Sequence, residues 1–255
     1  MVHLDALTIL VVAVFFGATL LRSALGFGEA LIAVPLLAFV LPVKVAAPIA
    51  VLVSITVAAV IVAQDWRHVQ LGSAVRLVLS TLIGIPLGLL LLRSVSEPVV
   101  KGVLGALVAG FALSALCNRG SYELTDDRLA WLFGVSAGVL GGAYGMNGPP
   151  LVVYGALRRW SPEHFRATLQ GYFLPASVIG MIGYWAAGLW TPIVSRYFLL
   201  SLPTALLAIA LGRMLNQRVD PRRFFVYVYT GLIVSGAGLV VQAIVSWTAH
   251  QSAAR

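Results

Sequence analysis

Within LRSALGFGEALIAVPLL, residues 21–37, a guanidinium, a carboxylate and a Gly-Phe-Gly triplet lie inside a run long enough to cross a bilayer. In such surroundings a carboxylate at Glu29 can carry a proton, and a guanidinium at Arg22 can balance the charge of an anion. The alternatives are structural. Glu29 can stabilise a helix start or pair with Arg22 seven residues earlier, and Arg22 is expected to snorkel to the cytoplasmic surface if it does not face a substrate. Gly26, Phe27 and Gly28 mark a break, because glycine accepts positive φ and lets a ligand or another backbone approach.

A second stretch has the same character. Sliding the chain by 119 positions lays GFGEALIAVP (26–35) on GMNGPPLVVY (145–154) and IGIPLGLLLL (83–92) on LPTALLAIAL (202–211), a repeat weak in letters and clear in layout. Half-helices beginning near Gly28 and Gly148 would aim unpaired N–H groups and positive dipole ends at the interior, a setting suited to a small anion. Pro149 and Pro150 fit a first helical turn, where a missing N–H costs nothing. Asn147 has donors for an anion's oxygens, or else caps the half-helix. Gly145 and Met146 complete this second wall of the expected substrate site. Tyr144 and Tyr154 either line the cavity or anchor at the membrane interface, while Thr168 and Gln170 are weaker candidates for which interhelical hydrogen bonding is expected. The competing explanation for all the glycines is close helix packing.

The elements that must position these residues follow from composition. Of 255 residues 60% are hydrophobic and 10% charged, with mean hydropathy +0.97, against roughly 25% charged in ordinary soluble domains. This is an all-α polytopic membrane protein. Ten apolar segments are expected at about 6–24, 28–41, 45–63, 73–92 and 98–117, then 129–143, 148–157, 165–187, 192–212 and 223–247. Residues 1–118 and 129–248 read as two inverted repeats, each a broken or re-entrant helix pair followed by three membrane helices. A polar connector at 119–128 joins them, and 249–255 forms a tail. RRWSPEHFRA, 158–167, reads as a cytoplasmic turn with Ser161 as cap and Pro162 in the first helical position, where Arg166 is a topology charge or draws anions inward.

Alternate threading places twelve of the 17 basic residues on one face and five, Lys44, Arg93, Lys101, Arg196 and Arg255, on the other. The richer face is assigned to the cytoplasm, with both termini outside it. The formal charge of +8 is therefore read as topology rather than as affinity for nucleic acid. Cys117 is the single cysteine, excluding an internal disulfide and a CxxC site. His3, His68, His164 and His250 all fall in loops or termini, so no catalytic residue, metal or cofactor is expected.

GFGEALIAVPLL together with GGAYGMNGPPLVVYGALRRWSPEHFRATLQGYF resembles the TauE/SafE sulfite exporter family, and the hydropathy layout extends the likeness over nearly the whole chain. The resemblance implies a bacterial inner-membrane transporter that exports small sulfur-containing anions, sulfite or organosulfonates, in an oligomer such as a homodimer surrounded by membrane lipids. The chain departs from the Gly-Gly-Gly run of many members at Gly28-Glu29-Ala30 and Asn147-Gly148-Pro149. A ten-helix carrier of metabolites or cations and a non-transporting membrane scaffold are the other expectations.

Overall fold

The computed structural model describes residues 5–65, 71–117, 123–125, 127–215 and 221–253. Arg67, Arg119, Arg218, Arg255, His3 and His68, and half of the 119–128 connector, lie outside the described residues. Ten helices follow one another: α1 (Ala6–Leu25), α2 (Glu29–Ala38), α3 (Val43–Asp65), α4 (Leu71–Ser94), α5 (Glu97–Cys117), α6 (Ala130–Tyr144), α7 (Gly148–Leu157), α8 (Pro162–Ala186), α9 (Pro192–Leu215) and α10 (Pro221–Ala253). No strand occurs among the described residues.

Six helices, α1, α3, α4, α5, α9 and α10, are long and apolar enough to cross a membrane. Three others, α2, α6 and α7, are apolar but only 10 to 15 residues long, below the roughly 20 that a span requires. At 25 residues α8 has the length, and its Thr168, Gln170 and Ser177 turn inward. Leu71, Leu90, Leu132 and Leu199 face outward, as a lipid-exposed surface demands. Trp185 and Trp190 flank the α8–α9 turn, the interfacial position aromatic rings favour.

Local chemistry sets the helix ends. The Asp5 carboxylate accepts from the Thr8 amide at 3.0 Å, and Ser161 accepts from His164 N as the cytoplasmic-turn reading requires. α1 stops at Gly26 (φ +92°) and α6 stops at Gly145 (φ +67°), both left-handed. The next helix starts within three residues in each case.

Glycine also sets the closest helix contacts. A methyl on Gly138 of α6 would sit 2.7 Å from the Thr81 carbonyl oxygen of α4, and methyls on Gly84 and Gly88 would run into the carbonyls of Val135 and Val139. Gly105 of α5 and Gly236 of α10 face each other's carbonyls in the same way. Without a hydrophobic drive between helices in lipid, such backbone approach is the main source of packing energy.

The two ends of the α6–α7 hairpin meet. The Leu124 amide donates to the Leu157 carbonyl at 2.8 Å, and the Arg158 guanidinium returns a bond to the Leu124 carbonyl at 2.9 Å. Beside them Asp127 accepts from the Tyr154 hydroxyl at 2.6 Å and from Arg76 of α4 at 2.6 Å, with Arg158 at 3.3 Å and Ser73 at 3.2 Å. Partial burial works against the Asp127 charge, yet the Tyr154 and Ser73 hydroxyls and the charges of Arg158 and Arg76 outweigh it and hold the carboxyl below its ordinary 3.8. Tyr154 is thus fully buried under this latch and does not border the cavity described below.

Two outcomes are expected. Gly138→Leu should abolish the monodisperse, folded fraction in detergent chromatography, whereas Gly17→Leu, which meets no atom within 4 Å, should leave it intact. Because the Asp127 value is depressed in the folded state, its stabilisation is complete above about pH 4 and is lost as pH falls through the folded value. Asp127→Asn should therefore lower stability by about 1.5–3 kcal/mol at neutral pH, and melting curves recorded from pH 3 to 7 should lose part of their acid limb.

Candidate functional site

Gly26 (φ +92°) and Gly28 (φ +103°) reverse the chain within three residues, and this turn brings Glu29 of α2 back against Arg22 of α1. The Arg22 Nη1 lies 2.5 Å from Glu29 Oε2, and Thr19 donates to the other carboxylate oxygen at 3.1 Å. Arg22 is 3% exposed and Glu29 1%, so the expected snorkelling to the surface does not occur. The reason is that both terminal nitrogens of the guanidinium have internal partners. Nη1 also donates to Ser54 of α3 at 2.8 Å, and Nη2 donates to Gln170 Oε1 of α8 at 2.8 Å. Gln170 Nε2 then donates to the Gly26 carbonyl at 2.6 Å, tying the guanidinium to the backbone freed by the break. The Phe173 ring stacks 4.9 Å from the guanidinium carbon, a cation–π distance. Only Nε of Arg22 lacks a hydrogen-bond partner.

The second break supplies the facing wall. Asn147 precedes α7 but makes no side-chain cap, contrary to its structural reading from sequence. Its amide instead donates to the Tyr172 hydroxyl at 3.4 Å and lodges against Gly141, where a methyl would sit 2.7 Å from Nδ2. Tyr172 is held in turn by Thr81 at 2.6 Å. The first N–H groups of α2 have no partners within the helix; in α7 Pro149 and Pro150 carry no N–H, which leaves those of Gly148 and Leu151, and the starts of both helices border the same cavity.

Between the two breaks lies a cavity of about 30 Å³, bordered by Arg22, Gly28, Glu29 and Ser54 on one side and Gly145, Met146, Asn147 and Gly148 on the other, with Phe173 beside them. That volume accommodates one or two waters. The remaining sequence candidates sit outside this lining. Gly26 contributes its carbonyl to Gln170, Phe27 packs edge-on against Phe165 with centroids 6.1 Å apart, Pro149 faces a neighbouring apolar cavity, and Tyr144 donates to the Val100 carbonyl at 3.2 Å. Arg166 packs its methylenes beside Gly26.

Sequence reading passed over Thr19, Ser54, Phe173 and Ser177, the last 3.2 Å from Ser54. Ser54 carried a usable signal, a hydroxyl that with Thr56 interrupts an otherwise apolar run. A cation-binding arrangement finds little here, since the one carboxylate is already neutralised by Arg22; no group of three His, Cys, Asp or Glu residues with metal-binding geometry exists among the described residues.

The sulfite exporter TauE/SafE family matches residues 10–239. The chain belongs to this family. A relative from Cupriavidus necator, a probable sulfite/organosulfonate exporter TauE, is 27% identical over 184 residues, covering 72% of this chain and 71% of the relative. No solved structure matches the chain significantly. TauE/SafE proteins are membrane exporters rather than enzymes, and the chain is a multi-pass membrane protein whose setting, a bacterial inner membrane, agrees with the source of its relative.

Arg22→Met should leave Glu29 buried and unpaired and cost about 3–5 kcal/mol. The double change Arg22→Met/Glu29→Met should cost less than either single change, since it removes both charges from the interior. Thermal melts of the three variants in one detergent check this.

Proposed function

We propose that this TauE/SafE protein is a secondary transporter that exports a small sulfur oxyanion, sulfite or an organosulfonate, by alternating access of two inverted halves. The observation that carries this reading is the buried Arg22, with an unpartnered Nε, between two half-helix N-termini. A guanidinium recognises planar or tetrahedral oxyanions through its fork of donors, and helix N-termini add fixed positive potential. Gly26 to Glu29 and Tyr144 to Pro149 are proposed as the two segments that form the substrate site. The relative's printed substrates give the chemical class.

Inversion of the halves has support from the ends of the helices. α2 leads to Val43, whose amide donates to Glu97 at 2.8 Å at the start of α5, while α7 leads to Leu157, beside Leu124. α5 spans 21 residues from Glu97 to Cys117, seven residues before Leu124. The two half-helices therefore leave the cavity toward opposite faces. This favours two repeats, 1–118 and 129–248, joined by 119–128, with 249–255 beyond the second repeat where α10 continues to Ala253, and it agrees with the basic residues collecting on the α7 side as the cytoplasmic face. A homodimer in lipid is the proposed assembly.

Glu29 acts in this scheme as a displaceable stand-in for the substrate. In the empty carrier it neutralises Arg22; when an anion takes the guanidinium, a proton on Glu29 keeps the site neutral. One proton then moves with each monoanion, and both states cross the membrane without net charge.

Flux assays in proteoliposomes test the scheme. Arg22→Gln should reduce sulfite or sulfonate flux about 30-fold or more, the effect of losing a buried charge partner. Glu29→Gln should retain flux but lose its dependence on a pH gradient. Wild-type rate and unchanged pH dependence in Glu29→Gln would remove the proton from the cycle.

A further inference from the structure

A second cavity, about 230 Å³ and open at the surface beside the exposed Leu107, Gly110 and Ser114, lies between α2, α5, α6 and α7 and shares two of its walls, Leu31 and Met146, with the Arg22 cavity. The rest of its lining is apolar: Phe111 and its neighbours on α5, Leu140 on α6 and Pro149 on α7. Its one hydroxyl, on Ser114, is already donated to the Phe111 carbonyl at 2.8 Å. With no free polar group among these residues, the space is suited to hydrocarbon rather than to water. It exceeds the roughly 150 Å³ apolar cavity that suffices for benzene.

The polar cavity by itself is of water size, so an anion seated on Arg22 must extend into adjoining space. The apolar cavity is the adjoining space that the shared walls offer. Met146 is the more adaptable of the two partitions, an unbranched side chain with three rotatable bonds that can swing aside to join the chambers. Leu31, in the first turn of α2, lies within two residues of Glu29, so the partition and the counter-charge belong to one turn of helix.

We infer that the protein selects an organic anion with an apolar tail, an alkyl or aryl sulfonate, whose acidic head sits at Arg22 and whose tail fills the cavity lined by Leu31, Phe111, Leu140 and Met146. This inference rests on the anion-site reading above and adds to it a tail pocket that discriminates against inorganic sulfite. Gly110 stands at the wall of the cavity with no atom within 4 Å of where its Cβ would be, and in a helix it accepts any L side chain. A larger residue there projects into open space without disturbing the head site.

The test measures dissociation constants for methanesulfonate, 1-butanesulfonate, benzenesulfonate and sulfite with the full chain in lipid nanodiscs, beside 1-butylammonium as a tail without an anionic head. Wild type should bind about 4-fold tighter per added buried methylene, with benzenesulfonate and butanesulfonate well ahead of methanesulfonate and sulfite. Gly110→Phe should erase that preference while leaving methanesulfonate affinity unchanged; Leu140→Phe, which narrows the same space from α6, should act likewise and serves if Gly110→Phe does not fold. Equal affinity for short and long sulfonates in wild type overturns the tail pocket and leaves the anion site standing. Loss of methanesulfonate along with the longer sulfonates in both variants overturns it too, marking the cavity as structural or lipid-filled. Binding of butylammonium as tight as butanesulfonate, or of no anion at all, removes the anion site and the tail pocket together.

Discussion

A guanidinium and a carboxylate 2.5 Å apart, each almost wholly sealed from solvent, set the terms for the surrounding bundle. Neither charge would be tolerated alone in hydrocarbon, and the pair persists because, Arg22 Nε apart, the guanidinium and the carboxylate are also held by side chains of α1, α3 and α8. Thr19, Ser54 and Gln170 sit on α1, α3 and α8 for that purpose, so three elements that are distant in sequence are fixed around one contact. The broken backbone is satisfied by the same set. Gln170 holds the guanidinium with its oxygen and the Gly26 carbonyl with its nitrogen, and a non-helical turn becomes affordable at depth because its exposed acceptor is already used.

The facing break follows a different solution. Asn147 and Tyr172 are stacked on Thr81 rather than on a charge, and the carboxamide fits only because Gly141 has no side chain. One wall of the cavity is thus ionic and the other neutral. An oxyanion entering between them would find its counter-charge on one side and directional donors on the other, which separates the source of binding strength from the source of orientation.

Much of the fold was legible because apolar length and helix punctuation are local properties. α7 runs over the expected 148–157, fixed by a left-handed glycine before it and two prolines in its first turn. α2 is shorter than its hydrophobic run, ending at Ala38, since Phe39 to Pro42 turn while remaining apolar. α10 extends past its hydrophobic run to Ala253, because helical backbone can continue into polar surroundings that a hydropathy pattern reads as an end. The glycine breaks were legible too, since positive φ is written in residue type. Partners were not: nothing in one dimension says that Ser54 and Gln170 converge on Arg22, or that Tyr154 points at Asp127, because those pairings depend on which helix faces meet. The same gap explains why a surface position stayed open for Arg22 beside a charge-balancing one, and a cavity position for Tyr144 beside an interfacial one.

The glycine seam between α4 and α6 has a mechanical meaning. Helices separated by long side chains can slide or roll as those side chains change rotamer, but helices in backbone contact have no such bearing between them. Together with the Asp127 latch at the hairpin's open end, the seam gears α4, α6 and α7 into one block, while Gly105 and Gly236 do the same for α5 and α10. Among the described residues, no such glycine contact joins these two blocks across the boundary between them. The apolar cavity, walled by α5 on one side and by α6 and α7 on the other, lies on that boundary.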